Sequence, residues 1–139
     1  MNSRLNMALR ERNGIAYNVE ASYTPYSDTG IFMVYFGTEE SNLYKALALV
    51  EKEFSILRDK KLSAQQLLKA KKQLVGQLAI ANENREELML TIGRSLLYFD
   101  KVDTLGSVFE KIENITADDI FKVANEMLDK ERLSKLIFM

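Results

Sequence analysis

The sequence predicts an α+β fold, in which an antiparallel sheet is packed by several helices. Two observations carry this prediction. Residues 15–26 alternate in polarity and residues 31–37 form a short apolar run, as β-strands do. From about residue 41 onward, apolar residues instead recur with the 3.6-residue period of helices. Strands and helices that are segregated along the chain in this way are typical of α+β proteins.

The chain opens with a predicted helix over residues 3–12, which Asn2-Ser3 can cap. Asn13-Gly14 is a suitable end for this helix, because glycine readily adopts the left-handed conformation that follows a helix C-terminus. Arg10 therefore lies in the last helical turn, and Tyr17 lies among the first residues of the strand that follows. The two residues lie on either side of the turn at Asn13-Gly14.

Two predicted strands, residues 15–26 and 31–37, form an antiparallel hairpin across the turn residues 25–30. The second strand is apolar on both faces, which favours an inner position in a sheet. Residues 133–139, LSKLIFM, are predicted as a last strand. Three strands are few for so much helix, and they leave a long sheet edge that proteins usually cover. We therefore expect residues 1–139 to be a single partial domain that lacks its first strands.

Helices fill the rest of the chain. An apolar stripe predicts one over residues 41–58, and the capping box Ser63-x-x-Gln66 opens the next. A polar break at residues 82–87 separates that helix from a helical segment over 88–99. A short helix is expected near 105–112, and Thr116-x-x-Asp119 caps a last one that runs to about residue 128.

Composition excludes several classes of function. The 139 residues carry a net charge of −1, which gives no electrostatic footprint for nucleic acid. There is no cysteine and no histidine, so thiolate zinc sites and the usual general base are absent. No apolar run is long enough to predict a membrane span. We expect no catalytic residue and no metal ligand in this segment.

Arg10 and Tyr17 are the candidate site residues. A guanidinium beside a tyrosine hydroxyl makes a cluster of donors that suits a peptide carbonyl, or the oxyanion that forms when this carbonyl is attacked. The structural alternative is an exposed cation near a helix C-terminus and a tyrosine in the sheet core. Spacing alone leaves both interpretations open. The acidic groups Asp118-Asp119 and Glu83, Glu86 and Glu87 fit helix capping and a solvated face.

Residues 3–42 closely resemble the pitrilysin/insulinase family of zinc metallopeptidases, the inverzincins, in the C-terminal substrate-binding domain of the bacterial processing-protease-like branch. The resemblance rests on Ser3-Arg4-Leu5, Leu9-Arg10-Glu11, Gly14-Ile15-Ala16-Tyr17 and Asp28-Thr29-Gly30-Ile31-Phe32. Weaker similarities follow at residues 62–78, 93–94 and 112–124, so the resemblance covers nearly the whole chain.

The resemblance implies a fold of two related α+β halves, as in the mitochondrial processing peptidases. One half carries H-x-x-E-H and binds Zn²⁺, while the other half closes over the peptide. Arg10 and Tyr17 match the R-x(6)-Y pair that reaches the substrate backbone in that second half. Because this chain has no histidine, the resemblance implies that the zinc ligands lie on the absent half, on the same chain or on a partner subunit. The segment alone is then inactive.

The sequence is compatible with two functions, one as part of an enzyme and one as a non-catalytic module. In the first, the segment is the non-zinc part of a zinc metalloendopeptidase, and it binds a peptide or protein substrate. In the second, it is a non-catalytic scaffold or interaction module of the same fold. The presence of both Arg10 and Tyr17 favours the first, because a scaffold has no need for that pair. Fold alone does not decide between them.

Overall fold

The computed structural model describes residues 3–138, which divide into two compact units. The first unit combines residues 3–61 with 121–138, and the second comprises residues 62–120. The sheet lies in the first unit and the helices α3 to α5, defined below, lie in the second. The α+β class predicted from the sequence is confirmed.

The chain begins with a short α-helix, α1 (Arg4–Asn6), which continues directly into one π-helical turn, Met7–Glu11. The Ser3 hydroxyl accepts a hydrogen bond from the Asn6 N–H and so caps α1, as the sequence suggested. The wider turn shows in the bond from the Arg12 N–H to the Met7 carbonyl, at 3.0 Å. Arg4 ties this segment to the rest of the unit through an ion pair with Glu53 at 3.0 Å.

The sheet is an antiparallel hairpin of β1 (Asn18–Pro25) and β2 (Gly30–Gly37). Its register places Ala21 opposite Val34. One face of β2 turns toward the core, and alternate residues on the other face are exposed.

Helix α2 (Leu43–Asp59) supplies the centre of the core of the first unit. Its buried residues recur every four positions, at Ala46, Val50 and Phe54, so they form one stripe along the helix. The buried residues of this core come from the first helical segment, the turn after it, α2 and the C-terminal part of the chain: Leu5, Leu9, Ile15, Ala16, Ala46, Val50, Phe54, Ala124 and Leu128.

The second unit contains α3 (Ala64–Ala81), α4 (Arg85–Phe99) and α5 (Leu105–Asn114). Side chains cap all three helices: Ser63 with Gln66 for α3, Asn84 for α4 and Thr104 for α5. The last helix, α6 (Ala117–Met127), begins with the predicted reciprocal bonds between Thr116 and Asp119. The capping signals predicted at Ser63-x-x-Gln66 and Thr116-x-x-Asp119 therefore located the starts of α3 and α6. Helix α4 instead begins at Arg85, inside the predicted polar break at residues 82–87, because Asn84 caps it there.

The predicted last strand is wrong for the described part of that segment. Residues 133–138 lie in no strand, and the sheet formed by the described residues has two strands. A strand needs a neighbour for its backbone hydrogen bonds, and no backbone bond links residues 133–138 to the rest of the described chain. Met139, the last residue of the prediction, lies outside the described residues.

The first strand is also shorter than predicted. It begins at Asn18 rather than at residue 15, so Tyr17 lies just before the ladder instead of within it. Ile15 and Ala16 are buried in the core, and this burial draws the chain out of the strand direction.

Candidate functional site

Arg10 lies in the π-helical turn and its side chain points to solvent. Its neighbour Leu9 is completely buried, at 0% exposure, and fixes the turn against the core. Within residues 3–138, the Arg10 guanidinium has no hydrogen-bond or ion-pair partner in the chain. Five N–H donors on a well-anchored backbone are therefore available to a ligand.

Backbone hydrogen bonds hold the turn that follows Arg10. Gly14 adopts a positive φ of 61°, which glycine tolerates without the steric cost borne by other residues. Its N–H donates to the Arg10 carbonyl at 2.9 Å, and the Ile15 N–H donates to the Leu9 carbonyl at 3.0 Å. Two hydrogen bonds thus close the end of the helical segment, as a C-terminal cap does.

Tyr17 lies on the far side of this turn, and 68% of its surface is exposed. Its backbone N–H donates to the Gly37 carbonyl at 2.9 Å, so the residue is held at the mouth of the hairpin. Ile15 and Ala16, immediately before it, are buried. Tyr17 is therefore not in the sheet core, as the structural alternative supposed, and its ring is accessible.

The Tyr17 hydroxyl donates a hydrogen bond to Glu39 Oε1 at 2.9 Å. This bond, together with the negative charge of the carboxylate, raises the pKa of Tyr17 above its ordinary value. The phenol therefore keeps its proton at neutral pH. Its oxygen retains lone pairs that can accept a hydrogen bond from a ligand N–H.

Glu39 is the site residue that sequence reasoning missed. It follows the end of β2, two residues after Gly37, which is paired with Asn18. A hairpin register with Asn18 opposite Gly37 brings the residues just beyond both strands together. The two predicted strands indicate that Glu39 lies near Tyr17 only when the pairing of Asn18 with Gly37 is known.

The structure thus places Arg10 and Tyr17 on the two sides of one hydrogen-bonded turn, both exposed, with Glu39 beside the phenol. No hydrogen bond joins the guanidinium to the phenol within the described chain. The group offers a free cationic donor, a phenol oxygen and a carboxylate. This combination suits the alternating carbonyl and N–H groups of a peptide backbone.

The chain's own side chains do not fit a zinc site. Zinc in proteins is bound by histidine, cysteine and carboxylate groups, and the sequence has no histidine or cysteine. Over residues 3–138, no three acidic side chains come close enough together to hold a metal ion. In the same part of the chain, none of the helices combines the length and the apolar character of a membrane span.

Comparison with known proteins gives relatives that are much longer than this chain. An uncharacterized zinc protease of Rickettsia felis is 31% identical over 137 residues, which is 99% of this chain and 33% of that protein. Subunit alpha-2 of the mitochondrial-processing peptidase of Dictyostelium discoideum is 32% identical over 93% of this chain and 28% of its own length. The chain therefore spans about a third of the length of these curated relatives.

The fold is similar to that of solved structures. The crystal structure of a peptidase M16 inactive domain from Pseudomonas fluorescens matches with a TM-score of 0.74 at 22% identity. The match covers 89% of this chain and 29% of that one. The family described as the peptidase M16 inactive domain matches residues 1–74, more than half of the sequence. The chain belongs to the peptidase M16 inactive-domain family.

Proposed function

We propose that these residues are the substrate-binding, non-zinc part of a zinc metalloendopeptidase, and that Arg10 and Tyr17 bind the peptide backbone. The zinc and its H-x-x-E-H motif would lie on another part of the same polypeptide or on a partner subunit. The similarity to a protein named as a zinc protease and to a processing-peptidase subunit supports a hydrolase of this kind. Because the 139 residues contain no histidine, they supply neither histidine of an H-x-x-E-H motif, and the proposal expects no peptidase activity from them alone.

The observation that carries the proposal is the exposure of Arg10 and Tyr17 on a backbone whose neighbouring residues are buried. Leu9 before the turn and Ile15 and Ala16 after it belong to the core. The buried neighbours fix the backbone from which both side chains extend, so the backbone itself loses little conformational entropy when a ligand binds.

The proposed contacts follow from the donors and acceptors present. The Arg10 guanidinium donates to a peptide carbonyl and stabilises the negative charge that grows on this oxygen when the carbonyl is attacked. Tyr17, while it donates to Glu39, accepts a peptide N–H through its phenol oxygen. The outer edge of β1 begins at the next residue, so a bound peptide can continue as an added strand.

The test uses the complete polypeptide purified from its source cell. Arg10→Ala should lower kcat/KM by about 100-fold, the order of magnitude of losing one oxyanion donor, while the zinc content stays constant. Tyr17→Phe removes the acceptor of a peptide N–H and should lower kcat/KM by about 5- to 10-fold, the order of magnitude of losing one neutral hydrogen bond. Arg12→Ala and Tyr26→Phe are matched controls, because both side chains are exposed and lie outside the proposed site. These controls should leave kcat/KM unchanged. Unchanged kcat/KM in both site variants would refute the proposal.

The second candidate function is a non-catalytic scaffold of the same fold. The hydrogen bond between Tyr17 and Glu39 favours it, because it gives the phenol a partner within the chain. A scaffold role predicts that Tyr17→Phe lowers the stability of the hairpin mouth without changing peptide binding. Zinc-dependent cleavage by the complete polypeptide, lost in Arg10→Ala, would exclude the scaffold.

A further inference from the structure

The carbonyl of Ala8, inside the π-helical turn, does not accept from the N–H that an α-helix would supply. In a regular α-helix the N–H of residue 12 donates to the carbonyl of residue 8. Here the Arg12 N–H donates to the Met7 carbonyl, one residue farther back, at 3.0 Å. The turn therefore contains one more residue than an α-helical turn, and the Ala8 carbonyl loses its α-helical donor.

The side chain of Asn13 bonds to this carbonyl instead. Its amide nitrogen donates to the Ala8 carbonyl oxygen at 2.7 Å. Ala8 is 5% exposed, so water has little access to this oxygen. A buried acceptor without a donor destabilises a fold, because it loses its hydrogen bonds to water without replacement. The Asn13 amide therefore compensates for the backbone bond that is absent from the wide turn.

Ending the helical segment does not require this side-chain bond. Gly14, at φ 61°, and backbone hydrogen bonds to the carbonyls of Arg10 and Leu9 already close the segment. The Asn13 side chain instead reaches back five residues, into the turn itself. Its bond therefore acts on the turn that carries Arg10.

The width of this turn determines where the Arg10 side chain extends. If the Arg12 N–H bonded to the Ala8 carbonyl, the extra residue would leave the turn, and Arg10 would rotate and shift relative to α1. A displacement of about 1 Å in a group that acts on the substrate can lower the rate by about 100-fold. The bond at Ala8 is thus linked to the position of the guanidinium.

We propose that Asn13 is a positioning residue of the peptide site. Its bond to Ala8 keeps the turn in the wide form and so directs the Arg10 guanidinium toward the ligand that Tyr17 also contacts. This inference rests on the proposed function, because Asn13 acts through Arg10. Asn13 itself touches neither the peptide nor the reacting atoms. It determines whether Arg10 reaches the peptide carbonyl.

The experiment uses the complete polypeptide and a fluorescence-quenched peptide that the unmodified polypeptide cleaves in a zinc-dependent manner. Asn13→Ala and Asn13→Asp both remove the donor, the first without adding a charge and the second with one. Each should lower kcat by at least about 10-fold and change KM less, because a displaced Arg10 no longer meets the oxyanion. The zinc content should stay constant.

Asn84→Asp is the matched control for the added charge. The Asn84 side chain caps α4 through its oxygen, which aspartate retains, and it lies in the second unit. This variant should leave kcat and KM unchanged.

A double-variant cycle separates positioning from general stability. In the Arg10→Ala polypeptide, Asn13→Ala should lower kcat by less than about 2-fold, because the guanidinium through which it acts is already missing. A purely structural role would instead lower Tm and leave kcat unchanged in both backgrounds at temperatures below the unfolding transition. That result would contradict the proposal.

A crystal structure of the Asn13→Ala polypeptide gives a measurement that does not depend on activity. We expect the Arg12 N–H to donate to the Ala8 carbonyl instead of the Met7 carbonyl, with the Arg10 side chain displaced. If the bond to Met7 persists and Arg10 keeps its position, Asn13 does not hold the turn and the proposal is overturned.

The outcomes distinguish this proposal from the proposed function. If the unmodified polypeptide cleaves no peptide, or if Arg10→Ala leaves kcat/KM unchanged, the proposed function is refuted together with the role of Asn13. If Arg10→Ala lowers kcat/KM while Asn13→Ala has no effect, or an equal effect in both backgrounds, only the positioning role is refuted.

Discussion

A carboxylate that accepts a hydrogen bond from a phenol affects the pKa of that phenol. Tyr17 is hydrogen-bonded to Glu39, and this bond raises the pKa of the phenol. We predict that Glu39→Gln lowers the pKa of Tyr17 toward 10, because both the charge and the preferred acceptor are removed. The pH dependence of the Tyr17 Cζ chemical shift measures this pKa, with Tyr17→Phe assigning the signal.

The stability linkage of this pair has a definite sign. Because the folded pKa of Tyr17 is raised, its contribution is complete below pH 10 and is lost as the pH rises through the folded pKa. Glu40→Gln, at the next position, is the control and should leave the Tyr17 titration as it is. A Tyr17 pKa that does not move in Glu39→Gln would show that the hydrogen bond is not made in solution.

Gly14 is the second residue whose conformation has a measurable consequence. At φ 61° an alanine is strained, so Gly14→Ala should lower the free energy of unfolding by about 1 kcal/mol. Gly93→Ala is the control, since Gly93 lies within α4 with open space around it. That change should be neutral or stabilising by up to about 1 kcal/mol. Chemical denaturation of both variants measures the difference, and equal effects would contradict the assigned strain.

Helices α3 to α6 each begin at a side-chain cap. Ser63 and Gln66 bond reciprocally to each other's backbone N–H at 3.3 and 2.9 Å. We predict that Ser63→Ala destabilises α3 by about 1 kcal/mol. Ser55→Ala is the matched control, because Ser55 is an exposed residue inside α2, where alanine favours the helix. Hydrogen exchange along α3 reports the loss, and unchanged exchange in Ser63→Ala would contradict it.

The elements that the sequence predicted well are those with local signals. A cap such as Ser63 with Gln66 involves only four consecutive residues, so the sequence pattern contains all the residues that form the hydrogen bonds. A strand is different, because its hydrogen bonds go to a distant segment. LSKLIFM has the composition of a strand, yet residues 133–138 lack a partner among the described residues and form none.

The same distinction applies to the site. Arg10 and Tyr17 could be predicted from the sequence as neighbouring candidate residues, because the helix end and the strand start lie within a few residues of each other. Glu39 was missed because it is 22 residues from Tyr17 and reaches it only through the hairpin register. Burial of Ile15 and Ala16 moved the start of β1 to Asn18, and this is a tertiary effect that local alternation does not contain.

For the whole molecule, acid should release the C-terminal segment. The ion pairs with Lys135 and Lys130 lower the pKa of Glu51 below 4.5. A lowered folded pKa means that this stabilisation is present above pH 4.5 and is lost as the pH falls through the folded value. We predict that Glu51→Gln loses less stability than the wild type between pH 6 and about 3. Urea unfolding at each pH measures this loss.

The comparison needs a carboxylate that lacks the ion pairs. Glu40→Gln serves, since Glu40 is exposed and has no ion-pair partner within the described residues. It should follow the wild type over the whole pH range. Parallel curves for the wild type and Glu51→Gln would show that the ion pairs at Glu51 do not stabilise the folded chain.

Strand β2 and residues 132–138 line one cavity although they are far apart in the sequence, which has a consequence for biosynthesis. About 95 residues separate Gly37 from Arg132, and a ribosome adds them in roughly 5 to 20 s. During that interval β2 has been synthesised, while residues 132–138, which line the same cavity, have not. A nascent chain of this design therefore spends seconds with the apolar side chains of β2 less covered than in the complete fold, at the stage when cellular chaperones bind.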